Sequence, residues 1–124
     1  MIRTIILVGI GGGIGSILRY LTSVLFAKCF QTGFPWGTLS VNVIGSLIIG
    51  LLIGFFSRQG MSQPDLKFLF VIGFCGGYTT FSAFSLESIN LFQSGNSALA
   101  LIYVASSVLI SLFAVWGGLA LSKF

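Results

Sequence analysis

Histidine is missing altogether from the 124 residues, and only two acidic side chains are present, Asp65 and Glu87. Without histidine there is no Ser-His-Asp triad and no histidine-bearing metal site. A two-carboxylate hydrolase needs both acids in one site, and these two flank different parts of one apolar stretch. Cysteine is nearly as scarce. Cys29 and Cys75 form no CxxC pair, which excludes a cysteine-rich zinc or disulfide framework. Together these gaps argue against an enzyme. Charge of either sign makes up only 6% of the chain, where a soluble domain carries roughly 25%. Six basic and two acidic side chains cannot cover a soluble fold of this size. The net charge of +4 is scattered, with no basic run. That argues against a nucleic-acid partner and suits loops facing lipid head groups.

What is present is apolar. Hydrophobic residues make up 56% of the chain, and the mean hydropathy is +1.08. Disorder requires the opposite composition, so the solvent for most of this chain is a lipid bilayer. A spanning helix needs about 20 mostly apolar residues, and four such stretches occur, at about 4–27, 34–57, 66–93 and 98–122. The connections Lys28–Gly33, Arg58–Asp65 and Ser94–Ser97 carry the turn-forming and polar residues such links need. The sequence therefore predicts an all-α integral membrane protein with one transmembrane domain over 1–124. Arg3 ahead of an apolar run has the look of a signal peptide. Glycines break that run and no A-x-A-like site follows, so the segment is expected to be retained. Four short helices enclose little by themselves, which predicts an oligomer, most simply a dimer. Arg3, Arg58, Lys67 and Lys123 fall on one side of the membrane and Lys28 on the other. That bias is modest and leaves insertion in both orientations open.

Glycine is the most patterned residue, at 17 positions. Gly9 and Gly13, Gly11 and Gly15, Gly50 and Gly54, and Gly73 and Gly77 are each four apart, the spacing that lets helix backbones approach closely in lipid. In the second span Thr38, Asn42, Ser46, Gly50 and Gly54 share one face. Asn42 there is either an interhelical hydrogen bond or a donor facing a pathway. In the fourth span Tyr103, Ser107 and Ser111 make a polar stripe. The third span holds Gly76-Gly77-Tyr78-Thr79-Thr80 near its middle, where the helix is expected to break. Broken backbone at membrane depth persists only where protein or a water-filled cavity satisfies it, so the alternatives are a satisfied kink and an ion site. Phe81 and Phe84 follow on one face, beside hydroxyls, and could turn their positive ring edges to an anion. Glu87 lies on the Phe84 side, either snorkelling to the interface or functional.

Three motifs now resemble the Fluc (CrcB) fluoride channel family. They are GGIGSILRY at 12–20, PWGTL at 35–39 running through Asn42 to Gly45-Ser46, and the highly specific GFCGGYTTFSAFS at 73–85. The fourth span corresponds only at Tyr103, Ser107 and Ser111. The resemblance implies an antiparallel, dual-topology homodimer with two fluoride pores, each lined by both subunits, in a prokaryotic inner membrane. It implies that Asn42 contacts the anion, that Phe81 and Phe84 form a ring-edge box, and that Tyr103, Ser107 and Ser111 form a polar track, with Thr38 and Thr80 as further hydroxyls. It further implies a structural sodium ion on the dimer axis, held by the Gly76 and Thr79 carbonyls, and Arg19 and Glu87 as charges near the pore. Ala83 stands where the family often has a hydroxyl residue, so that position carries no donor role.

Two other functions fit a chain this short. A proton-coupled multidrug transporter needs a membrane-embedded acid. The first span has none, which leaves Glu87, late in the third. A non-transporting assembly protein would use the glycine stripes alone, and the clustered Asn42, Phe81 and Phe84 motifs count against it.

Overall fold

The computed structural model describes residues 1–59 and 64–123. Helix α1 spans Ile2–Cys29 and α2 Trp36–Arg58. The third span, Pro64–Gln93, is assembled from four pieces. They are a turn of α3 (Pro64–Leu66), a π-helical stretch π1 (Lys67–Cys75), a short α4 (Gly76–Tyr78) and α5 (Ser82–Gln93). Helix α6 runs Ser97–Leu121. Each of the four spans is long and apolar enough to cross a membrane. The second connection falls partly on residues 60–63, outside the described residues.

Local chemistry sets the ends. Lys28 and Arg58 sit in the last turns of α1 and α2, where a cation meets the negative end of the helix dipole. Pro35 precedes Trp36 at the start of α2, where a missing N–H costs nothing. Gly95 ends α5. Its φ of +86° is the one positive value among the described residues. The Asn96 N–H donates to the Leu91 carbonyl at 3.0 Å and the Gly95 N–H to the Phe92 carbonyl at 3.2 Å. This is a Schellman closure, and it turns the chain directly into α6.

Two helix pairs build the molecule. Helix α1 lies along π1 and α4, and α2 lies along α6. Both contacts are backbone to backbone. A Cβ placed on Gly15 would stand 2.3 Å from the Phe74 carbonyl oxygen, and one on Gly50 would stand 2.4 Å from that of Val115. Lipid offers no hydrophobic drive for helix association, so close approach and dispersion hold these pairs. The stripe of Gly9 and Gly13 behaves differently from expectation: a Cβ on either meets nothing within 4 Å. Both face outward from α1, because Gly11 and Gly15 occupy the contact face. Large apolar side chains such as Ile5, Leu21, Leu109, Phe113 and Trp116 are exposed, as a lipid-facing surface requires. The small interior cluster comprises Leu39, Phe84, Leu91, Ala100 and Tyr103.

Candidate functional site

Helical structure lapses at Thr79, whose backbone is extended (φ −87°, ψ 158°), and resumes at Ser82. Gly45 on α2 makes room for this segment, since a Cβ there would stand 2.2 Å from Thr79 Cγ2. One turn earlier on the same helix, Asn42 holds the segment. Its Nδ2 donates to the Thr80 carbonyl at 3.0 Å, and the Thr80 N–H donates to its Oδ1 at 2.8 Å. The carboxamide is thus an interhelical hydrogen-bonding group. It has a second N–H, and Asn42 lines a cavity of about 390 Å³. Thr80 in turn caps α5, with its Oγ1 accepting the Ala83 N–H at 3.2 Å.

These bonds divert two donors from the helix ladder. In an unbroken α-helix the Thr80 N–H would serve the Gly76 carbonyl and the Ala83 N–H the Thr79 carbonyl. Both donors point elsewhere. The Gly76 and Thr79 oxygens are therefore released, beside the same cavity. Neighbouring carbonyls are engaged: Cys75 accepts from Thr79 N–H at 3.0 Å and Thr79 Oγ1 at 2.8 Å, and Gly77 accepts from Arg19 Nε at 3.0 Å. Released carbonyl oxygens at an unwound helix are hard ligands suited to an alkali cation. Among the described residues no group of three or more acidic or cysteine side chains could hold a metal.

The cavity wall continues onto α5 and α6 through Phe81, Phe84, Ser107 and Ser111. The two phenylalanine rings lie 5.6 Å apart at 48°. Phe84 is buried, whereas Phe81 is 79% exposed on the single chain. Ser107 is 5% exposed, and its Oγ is fully buried with no hydrogen-bond partner. A buried hydroxyl without a partner is costly and calls for an explanation at the site it lines.

Thr38, Glu87 and Tyr103 form a second, separate group. Thr38 Oγ1 donates to Glu87 Oε1 at 2.7 Å, and the Tyr103 hydroxyl donates to Glu87 Oε2 at 3.1 Å. Thr38 and Glu87 line a wider opening of about 730 Å³ at the end of the bundle where α1 stops and α2 begins. Glu87 is half-buried, so it is neither snorkelling freely nor sealed. Arg19 stands apart from both groups, bonded to α4 through Gly77. The candidates read from the sequence are thus divided. Asn42, Thr80, Phe81, Phe84, Ser107 and Ser111 meet at one cavity with Gly76 and Thr79. Thr38 and Glu87 meet at the other, with Tyr103 behind them.

A continuous series of ring contacts joins the two. It runs Phe26, Phe30, Trp36, Phe34, Tyr103, Phe84 and Phe81, with centroids 4.6–5.6 Å apart. Sequence reasoning missed the ladder, since its members come from four segments. It also missed the π-helix, which no local residue pattern marks. The only hint of the ladder was the 13 phenylalanines.

The fold and site define a four-span, all-helical, multi-pass membrane protein with a largely apolar cavity, carrying a few polar groups, at an interrupted helix. The family model described as "CrcB-like protein, Camphor Resistance (CrcB)" matches residues 6–119. The chain is similar to the fluoride-specific ion channel FluC of Flavobacterium psychrophilum, 47% identical over 121 residues and 98% of each chain. It is also similar to that of Rhizobium etli, 44% identical over 118 residues, covering 95% of this chain and 94% of the relative. The FluC of Azobacteroides pseudotrichonymphae is 40% identical over 124 residues, 100% of this chain and 99% of the relative. The chain belongs to the CrcB family.

Proposed function

We propose that this chain is a passive, fluoride-selective channel that exports cytoplasmic fluoride, working as an antiparallel dual-topology homodimer with two pores in a prokaryotic inner membrane. The observation that carries the reading is Ser107 Oγ, buried and without a partner on the wall of the Asn42–Phe81 cavity. Fluoride is small, strongly hydrated and a strong hydrogen-bond acceptor. A pathway for it replaces water with neutral donors. Ser107, Ser111, the second Asn42 N–H and the edges of Phe81 and Phe84 supply them. Among the described residues no lysine or arginine lines this cavity, so an anion entering it is not trapped.

The FluC relatives support the substrate, and the geometry supports the assembly. Phe81 is largely exposed at the cavity edge, and Gly9, Gly13 and Gly76 have open space beside them on one chain. A second copy would cover such surfaces. The released Gly76 and Thr79 carbonyls would hold a structural sodium ion shared with that copy; the cation would neutralise carbonyl dipoles at membrane depth and takes no part in transport. Thr38, Glu87 and Tyr103 would form the pore mouth, and Arg19 would brace the interruption.

The test is fluoride efflux from proteoliposomes, followed by a fluoride electrode with potassium and valinomycin as the charge shunt. Fast fluoride efflux, no leak from chloride-loaded vesicles, and loss of efflux in Phe81→Ile are expected. Folded, dimeric protein that passes no fluoride would overturn the reading.

A further inference from the structure

Between the released carbonyls of Gly76 and Thr79 lie Gly77 and Tyr78. Neither lines the cavity, and both are tied to α1. Arg19 Nε donates to the Gly77 carbonyl at 3.0 Å. Further along the same helix, Thr22 Oγ1 lies 3.1 Å from the Tyr78 hydroxyl oxygen. The direction of that bond follows from the protons at hand. A threonine hydroxyl has one, and Thr22 donates it to the Leu18 carbonyl at 2.8 Å. The Tyr78 hydroxyl is therefore the donor and Thr22 the acceptor.

The Tyr78 ring is fixed as closely as its hydroxyl. Tyr78 is buried, and its ring stacks on Phe74 with centroids 5.8 Å apart and planes at 8°. Toward α2, a Cβ on Gly45 would stand 3.4 Å from Tyr78 Cδ2. Toward α1, a Cβ on Gly15 would stand 2.9 Å from the Tyr78 nitrogen. The residue is thus wedged between α1 and α2, immediately before the point where helical structure lapses. Helix α4 has three residues, too few to hold that position by its own hydrogen bonds. Beyond the lapse, Asn42 of α2 holds Thr80. Between the two anchors stands Thr79 alone, with its extended backbone.

We propose that Tyr78, seated by the Thr22 hydroxyl, is a positioning residue for the anion pathway. It does not line the cavity; it fixes the peptide that carries Gly76, Thr79, Thr80 and Phe81 to the cavity wall. The inference rests on the reading of that cavity as the fluoride pathway. Donors and ring edges replace an ion's water only if they stand where the ion passes, so a wall built on unwound backbone needs support from behind. Removing either hydroxyl frees the same peptide, but the two losses differ in what they leave. Without the Thr22 acceptor, a buried Tyr78 O–H is unmet; without the Tyr78 hydroxyl, Thr22 still bonds Leu18.

The test pairs hydrogen exchange of the full chain in detergent with fluoride efflux from proteoliposomes. Two amides report the position directly. The Thr79 N–H donates to the Cys75 carbonyl at 3.0 Å and the Thr80 N–H to Asn42 Oδ1 at 2.8 Å. In Tyr78→Phe, which keeps the ring, exchange over residues 76–82 should rise about tenfold while α2 and α6 are unchanged, and efflux should fall about tenfold. Thr22→Val should make the same two changes, and the double variant should add nothing further. Thr22→Ser keeps the acceptor and should behave as the parent, which a role in packing alone would not produce. Exchange over 76–82 equal to the parent's in Tyr78→Phe, a rise shared by every span, or efflux unchanged beside a conducting parent overturns the inference. Tyr78→Phe leaves no polar group unmet, so the result does not hang on Thr22→Val folding. A parent that passes no fluoride overturns the channel reading instead, and the exchange measurement then decides the inference by itself.

Discussion

Asn42 and Thr80 hold each other through two reciprocal hydrogen bonds, at 3.0 and 2.8 Å, across the interruption in the third span. One side chain satisfies both backbone groups of one residue. That is what makes an unwound peptide tolerable at membrane depth, where an unmet N–H or C=O costs several kcal/mol. It also removes the Thr80 N–H from Gly76, so the same pair that stabilises the interruption releases a carbonyl beside the cavity.

Asn42→Ala removes both bonds at once and leaves a donor and an acceptor without partners. The expected loss of stability is about 1–3 kcal/mol, read by denaturation in mixed micelles, together with loss of fluoride efflux. A variant as stable as the parent would show that water replaces the carboxamide.

Ser107→Ala should behave oppositely. The Ser107 hydroxyl has no hydrogen-bond partner among the described residues, so its removal should leave stability within about 0.5 kcal/mol of the parent, or raise it. Fluoride efflux should fall about tenfold, the equivalent of one donor worth about 1.4 kcal/mol. Unchanged efflux would remove Ser107 from the pathway.

Gly15 and Gly13 separate contacts inside the chain from contacts beyond it. Gly15→Ala drives a methyl against the Phe74 carbonyl and should destabilise by about 1–3 kcal/mol. Gly13→Ala meets nothing within 4 Å among the described residues and gains about 1 kcal/mol of helix propensity. If a second copy packs on that face, Gly13→Ala will instead weaken the dimer, seen as a shift to monomer in cross-linking.

Gly95→Ala forces a side chain into the left-handed region at the α5–α6 turn. A cost of about 1 kcal/mol in unfolding is expected. Efflux should be unchanged, because Gly95 lines neither cavity.

The four spans were legible in the sequence, and α2 illustrates why. Hydropathy over about 20 residues is a local property, and lipid accepts no other structure for such a run than a helix or a closed barrel. The expected 34–57 therefore became Trp36–Arg58. The four-residue spacings of Thr38 with Asn42 and of Ser107 with Ser111 were legible too, since helical period places them on shared faces. What those faces meet was not. Thr38 turns to Glu87 while Asn42, one turn on, turns to Thr80. Gly11 and Gly15 take the contact that Gly9 and Gly13 equally offered. Periodicity names a face but not the rotation of the helix about its axis. That rotation is decided by which backbones can approach most closely and which buried polar groups find partners, and both depend on residues distant in sequence. The tertiary structure alone therefore divided the candidates between two cavities, released the Gly76 and Thr79 carbonyls, and left the Ser107 hydroxyl without a partner.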